Sequence, residues 1–202
     1  MKVWEYNNYD EYVDAQVKGN LAKYKSHSYV AKNIIGGIVE YMISNNLHPK
    51  FGLCHGTRRG LEQEHFINWF KSQNIDVSVL GTEISPTANE FKNTIQWDFN
   101  EIKNEWVNDV GFIYSNSFDH SFNPTKTIEA WMKCLTDGGM CFIEWSADCL
   151  KNRPMDPVAG TLEEWVEFFN KEYKVIDVLE HNVNSGRGVA GARTRNIIVI
   201  QK

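Results

Sequence analysis

The stretch Phe51-Gly52-Leu53-Cys54-His55-Gly56-Thr57-Arg58-Arg59-Gly60-Leu61 decides the fold class. It opens on a short apolar run, Phe51 to Cys54, and turns through a loop bounded by glycines. A helical pattern, Leu61 to Phe70, follows. Strand, tight turn and helix in this order begin a βαβ unit. Glycine permits the sharp turn and a close backbone approach. A helix starting near Gly60 presents free N–H groups to a polar or anionic ligand. Many strand-to-helix turns contain two glycines, so a plain turn and a binding loop are both open readings here.

Working outward, the alternation continues. Val77 to Ile84 reads as a second strand, and Ser85-Pro86 then gives a cap and a first-turn proline. Thr94 to Trp97 is a third strand and Val110 to Tyr114 a fourth. Asn123-Pro124 repeats the cap signal ahead of the apolar stripe Ile128, Trp131, Met132 and Leu135. Gly138-Gly139 turns into a fifth strand, Met140 to Trp145. Residues 147 to 160 carry Pro154 and Pro157 and read as a loop. Thr161 and Glu164 form a capping box for a helix carrying Trp165 and Phe168. Tyr173 to Leu179 and Asn196 to Ile200 close the chain with no helix between them. That implies an antiparallel pair at one edge of a mostly parallel sheet. Toward the N-terminus, Tyr9, Val13, Val17 and Leu21 recur at helical spacing, as do Val30, Ile34, Ile38 and Met42. Gly36 and Gly37 interrupt the second pattern for close packing or a bend, and His48 and Pro49 end it. The whole is one α/β domain over residues 1–202, with 1–47 a helical cap.

Composition narrows the function classes. The 202 residues carry a formal net charge of -5, 42% apolar residues and 23% charged ones, as in ordinary soluble domains. Mild acidity argues against bulk nucleic-acid binding, which needs a basic surface. No apolar run reaches 18 residues, so no membrane span is expected. The N-terminus lacks the apolar stretch of a secretory signal. The four cysteines show no Cys-x-x-Cys pair and have apolar neighbours. Buried thiols in the cytoplasm are therefore expected.

In an open parallel sheet, ligands bind outside the carboxyl ends of the strands, near the reversal of strand order. That rule selects four loops. The first is Cys54 to Gly60. The second carries Glu83, roughly 20 residues on, where a carboxylate can accept from two ribose hydroxyls; an ordinary helix-start carboxylate is the alternative. The third carries Asp98, which can accept from a purine amine with Trp97 or Phe99 against the ring. The fourth is Tyr114-Ser115-Asn116-Ser117-Phe118-Asp119-His120-Ser121, densely polar after a buried strand. His120 is the best acid–base candidate there, with Asp119 beside it and Glu144 at the end of the fifth strand. No histidine and acidic cluster has metal-ligand spacing. His65, among Glu62, Glu64 and Phe66, reads as a helix-face residue.

With these features in place, the chain from about residue 48 to 202 resembles the class I S-adenosylmethionine-dependent methyltransferases. The resemblance rests on the glycine loop, Glu83, Asp98, the polar end of the fourth strand, Thr136-Asp137-Gly138-Gly139 before the fifth, and the closing antiparallel strand. It implies a three-layer Rossmann-like domain with a seven-stranded sheet, and S-adenosylmethionine as cofactor. The implied cofactor contacts begin with Cys54, His55, Gly56, Thr57, Arg58 and Gly60 on the methionine side. Glu83 and Ile84 would take the ribose, Asp98 and Phe99 the adenine, and Asn116 and Ser117 the methionine end and the acceptor. Tyr9, Tyr12, Gln16 and Lys23 would form a lid. The implied reaction is methyl transfer to an oxygen or nitrogen of a small-molecule acceptor, with His120, Asp119 or Glu144 as base. Two departures stand out. Members often carry an acidic residue two positions before the first glycine, where this chain has Cys54. The middle glycine of the usual loop is here Arg58, which could contact the cofactor carboxylate. A nicotinamide-dependent oxidoreductase and a non-catalytic binding version of the fold are the rival readings. Asn182 to Arg195 is glycine-rich and basic, either an anion-binding segment or a hairpin loop.

Overall fold

The computed structural model describes residues 1–23, 25, 29–184 and 192–202. In chain order the elements are β1 (Lys2–Val3), α1 (Tyr9–Leu21), α2 (Lys32–Ser44), β2 (Phe51–His55), α3 (Leu61–Ser72), β3 (Ser78–Glu83) and β4 (Thr94–Gln96). There follow β5 (Val110–Ser115), α4 (Pro124–Cys134), β6 (Leu135–Trp145), β7 (Val158–Ala159), α5 (Leu162–Phe169), β8 (Lys174–Asn184) and β9 (Ala192–Gln201). Seven strands form one sheet in the order β4-β3-β2-β5-β6-β9-β8. The five from β4 to β6 are parallel. β9 runs against both β6 and β8. The expected antiparallel pair therefore occupies one edge, with the reversed strand on its inner side. Its ladder reaches Asn184 opposite Ala192, which makes the basic stretch a hairpin. The tip of that stretch, 185–191, lies outside the described residues.

The central strands are apolar at successive positions because both sheet faces are covered. Side chains alternate faces along a strand, and two cores result. Phe112, Tyr114, Met140, Phe142, Ile197 and Val199 meet α2 and α3 through Ile34, Ile38, Phe66 and Phe70. Ile113, Cys141, Ile143, Ile198 and Ile200 meet α4 and α5 through Trp131, Trp165 and Phe169. The glycines of α2 serve close packing: a Cβ on Gly36 would stand 2.5 Å from the Trp69 ring of α3, and one on Gly37 2.5 Å from His181 of β8. The helix runs unbroken through both and ends at Ser44, ahead of His48 and Pro49.

The expected caps form. Ser85 accepts from the Thr87 amide, Asn123 accepts from the Lys126 amide, and both bonds of the Thr161–Glu164 box are present. The loop from 147 to 160 contains a 3₁₀ turn, Ala147–Leu150, and β7, which pairs with β1. All four cysteines are buried and unpaired. No helix among the described residues is long and apolar enough to cross a membrane.

Helix α1 departs from its expected packing. Its apolar stripe does not face the core, since Tyr9 and Leu21 are exposed. The buried face is Tyr12, Gln16 and Asn20. A polar face is buried without large penalty only when its groups are bonded, and here each of the three side chains has a partner, although Asn20 Nδ2 meets none among the described residues. Tyr12 accepts from Asn100 Nδ2 at 2.7 Å. Gln16 meets His120 Nδ1 at 2.8 Å, and Asn20 accepts from Thr87 Oγ1 at 3.0 Å. The helix thus lies over the carboxyl ends of β3, β4 and β5.

Candidate functional site

Strand order reverses between β2 and β5, so the loops after them diverge and leave a crevice. Two cavities fill it, of about 330 Å³ and 60 Å³. They share Lys23, Gly56, Arg58, Ser117 and His120 as lining residues, and so form one continuous cleft.

The glycine loop forms its floor. Gly56 has φ +74°, and a Cβ there would stand 2.6 Å from Ser117 Cβ. The loops after β2 and β5 are thereby held in contact: Ser117 Oγ donates to the Gly56 carbonyl at 3.3 Å and Ser115 Oγ to the His55 carbonyl at 3.0 Å. Arg58 adopts φ +46°, a left-handed conformation that favours glycine. That backbone explains why glycine is the usual residue there. The guanidinium lies over the Tyr29 ring at 5.1 Å, and both residues line the larger cavity.

The smaller cavity lies under α1. Glu83, Ile84, Asp98 and Phe99 line it beside Tyr12, Gln16 and Asn20. Glu83 is buried at the end of β3. Its Oε2 accepts from the Arg58 amide at 3.1 Å and its Oε1 from the Ser85 amide at 3.0 Å. Burial raises its carboxyl above the ordinary range, and the Ser85 amide and Arg58 oppose that rise. Asp98 Oδ1 accepts from the amide and side chain of Asn100 at 2.9 and 2.7 Å, and Oδ2 accepts from the Tyr9 hydroxyl. Of the two aromatic candidates, Phe99 faces the cavity. Trp97 turns away, donating to the Glu101 carbonyl and packing against Trp106.

The larger cavity carries the acid–base groups. Asn116, Ser117, Asp119, His120 and Glu144 all line it. Gln16 Nε2 faces the carbonyls of Pro154 and Met155 at 3.4 Å each. Its Oε1 therefore faces His120, and Nδ1 of the neutral ring must donate. The lone pair is left on Nε2, which stands 3.6 Å from Asp156 Oδ1 and 3.8 Å from Asp119 Oδ1. A proton received there would sit between two carboxylates. Burial pushes the Asp119 carboxyl up to about 6, against the pull of His120. Glu144 accepts from the Tyr114 hydroxyl at 2.8 Å and pairs with Arg195. Burial raises its carboxyl and Arg195 opposes this. Asp119, His120 and Asp156 bring one ligand atom each within 4.8 Å of one another. Chain spacing gave no sign of that grouping, because Asp156 arrives from the loop before β7. Arg153 is paired with Asp156.

Three loop residues stand back from the cleft. The Cys54 side chain is in the core against α2 and α3. The His55 ring lies on the opposite face, 4.7 Å from the Trp131 ring centroid and 2.9 Å from Thr82 Oγ1. Burial pushes its imidazole down to about 3, so it is neutral. Gly60 caps α3 at φ +72° and packs under Thr94 and Gln63. Thr57 lines the larger cavity.

Glu62 was not among the expected site residues. It lies in the first turn of α3, where an acidic residue is ordinary, and nothing in its neighbours marks it. It lines the larger cavity at 6% exposure. Asn116 Nδ2 donates to its Oε1 at 3.3 Å. Oε2 meets no donor among the described residues. Burial pushes the carboxyl up to about 7.

No family model matches the chain, and no curated protein matches it in sequence. Solved structures do match in fold. A 1,6-didemethyltoxoflavin-N1-methyltransferase of Burkholderia thailandensis, solved with 1,6-didemethyltoxoflavin and S-adenosylhomocysteine bound, superposes at a TM-score of 0.69. It is 13% identical, and the match covers 100% of this chain and 94% of that one. The plantazolicin methyltransferase BpumL in complex with S-adenosylhomocysteine gives 0.60 at 13% identity, covering 95% of both chains. A S-adenosylmethionine-dependent methyltransferase from Clostridium acetobutylicum ATCC 824 gives 0.58 at 10% identity, covering 86% of this chain and 92% of that one. This chain has the class I S-adenosylmethionine-dependent methyltransferase fold.

Proposed function

We propose that the protein transfers a methyl group from S-adenosylmethionine to an oxygen or nitrogen of a small-molecule acceptor. One observation carries this reading. The cleft joins an end lined by Glu83, Asp98 and Phe99 to an end lined by Asp119, His120 and Glu144, through the glycine loop. The residues suit the cofactor: a buried carboxylate for a diol, apolar Ile84 and Phe99 for a flat ring, and a loop whose Gly56 packs directly against Ser117, where a Cβ would not fit. When bound, S-adenosylmethionine supplies a sulfonium-bonded methyl group open to in-line attack.

The chain's own residues would do the rest. Glu83 accepts from the ribose hydroxyls while its backbone bonds to Arg58 and Ser85 hold it in place. Asp98, steadied by Asn100, accepts from the adenine amine beside Tyr9. Arg58 faces the cofactor carboxylate. Asn116 and Ser117 border both methionine portion and acceptor. His120 Nε2 takes the acceptor proton where one must leave, and Asp119 and Asp156 stabilise the charge that results. Helix α1 covers the nucleoside end and excludes water, so alignment of acceptor and methyl group does most of the catalytic work. The likeness in fold to a 1,6-didemethyltoxoflavin-N1-methyltransferase supports a small-molecule acceptor. A non-catalytic version of the fold predicts a cleft plugged by side chains, and 330 Å³ of open cavity speaks against that. The antiparallel β8–β9 edge speaks against a nicotinamide-binding pair of halves.

The test is Glu83→Ala. A charge-assisted hydrogen bond contributes about 1.5–3 kcal/mol, so S-adenosylhomocysteine affinity should fall by roughly 10- to 100-fold with the circular-dichroism spectrum unchanged. Equal affinity in mutant and wild type would overturn the ribose assignment.

A further inference from the structure

The carboxyl groups around the cleft differ in how fully they are satisfied. Glu83 accepts from two backbone amides. Both oxygens of Asp98 are engaged, as are both of Glu144. Asp156 pairs with Arg153, and Asp119 stands against His120. Glu62 alone of these has a fully buried oxygen that meets no donor among the described residues. Asn116 Nδ2 donates to its other oxygen, and the two residues line the larger cavity together.

A buried carboxylate with a bare oxygen is costly unless a cation or strong donor arrives. The ligand that relieves it must therefore carry N–H groups, and a positive charge serves best. Glu62 stands at the glycine-loop end of the cleft, beside Asn116 and within electrostatic reach of Arg58. An acid and a guanidinium facing one cavity suit an α-amino-acid zwitterion, ammonium to one and carboxylate to the other.

We propose that Glu62 binds the α-ammonium of the methionine portion of S-adenosylmethionine. This rests on the methyltransferase reading above. It makes Glu62 a cofactor-binding residue, recruited from the first turn of α3. The Glu62 carboxyl, pushed up to about 7 by burial, would lose its proton as the ammonium docks.

Calorimetric titration of the full chain with three probes tests this: S-adenosylhomocysteine, its analogue lacking only the amino group, and 5′-methylthioadenosine, which lacks the whole amino acid. In the wild type the amino group should improve affinity by about tenfold or more. In Glu62→Gln that advantage should vanish, while the deaminated analogue and methylthioadenosine bind within about twofold of wild type. Retained methylthioadenosine binding also shows that the variant has folded. Below neutral pH, S-adenosylhomocysteine binding to the wild type should release a proton, read from the dependence of the enthalpy on buffer ionisation. The Glu62→Gln variant should not show that release. If the variant keeps the full preference for the amino group, or loses all three probes in parallel, the assignment of Glu62 is wrong. If the wild type binds none of the three, the methyltransferase reading falls, and this inference with it.

Discussion

At the scale of single residues, buried acids set how the molecule responds to pH. Glu62 titrates near 7 in the folded chain against an ordinary 4.5, and Asp119 near 6 against 3.8. At these two sites the folded state therefore holds more protons than the unfolded one through that interval, and their contribution to stability falls as pH rises across it, while the depressed imidazole of His55 acts in the opposite sense. Glu62→Gln removes one such group. Its melting temperature should match wild type near pH 4 and exceed it at pH 8, by roughly 2–4 °C for each kcal/mol recovered. Equal melting curves at pH 8 would show that Glu62 is not penalised by burial. At His120 the expectation concerns chemistry. His120→Ala should slow methyl transfer to an acceptor that must lose a proton by about 10²–10⁴-fold, measured in single turnover. An unchanged rate would remove it as the base. The first-turn position of Glu62 is ordinary helix chemistry, which is why its sequence context hid it. The positions of Glu83 and Asp98 at the ends of parallel strands were legible from the strand pattern, and both line the smaller cavity.

At the scale of elements, helices were legible wherever local chemistry specifies them. The caps at Ser85, Asn123 and Thr161 depend on residues a few positions apart, and all formed. Helix α1 shows the opposite case. Periodicity located it, but its apolar stripe did not predict its buried face, because the surface beneath it is the polar rim of the sheet. Gln16 links this helix to His120 and to the Pro154 and Met155 carbonyls. Gln16→Leu should thus raise amide exchange in α1 and weaken S-adenosylhomocysteine binding by about tenfold. Unaltered exchange would mean that α1 is held by other contacts. Gly36 is the element-scale test of the core. Gly36→Val would drive its side chain into Trp69, and overpacking of this kind destabilises by about 1–3 kcal/mol. A denaturant midpoint equal to wild type would show that α2 and α3 can separate without loss.

At the scale of the whole molecule, the alternation of strands and helices gave the layers, and the reversal of strand order gave the cleft. Long-range pairings of very short segments were not legible. Two residues, Lys2 and Val3, pair with Val158 and Ala159, and the N-terminal ammonium reaches Glu164 at 3.2 Å. No two-residue segment carries enough pattern to announce such a clasp. It ties the start of the chain to the loop that brings Asp156 to His120, so α1 and the acid–base end of the cleft are held by the same contacts. The rim of the sheet thus becomes an enclosed site only through segments far apart in the chain.

The central claim is that this cleft takes an adenosyl group with its amino-acid tail. Isothermal titration of the purified protein with S-adenosylhomocysteine, and separately with NAD, tests it most directly. The account predicts one-to-one binding of S-adenosylhomocysteine and no heat from NAD. Binding of NAD in preference to S-adenosylhomocysteine, or of neither, would contradict it.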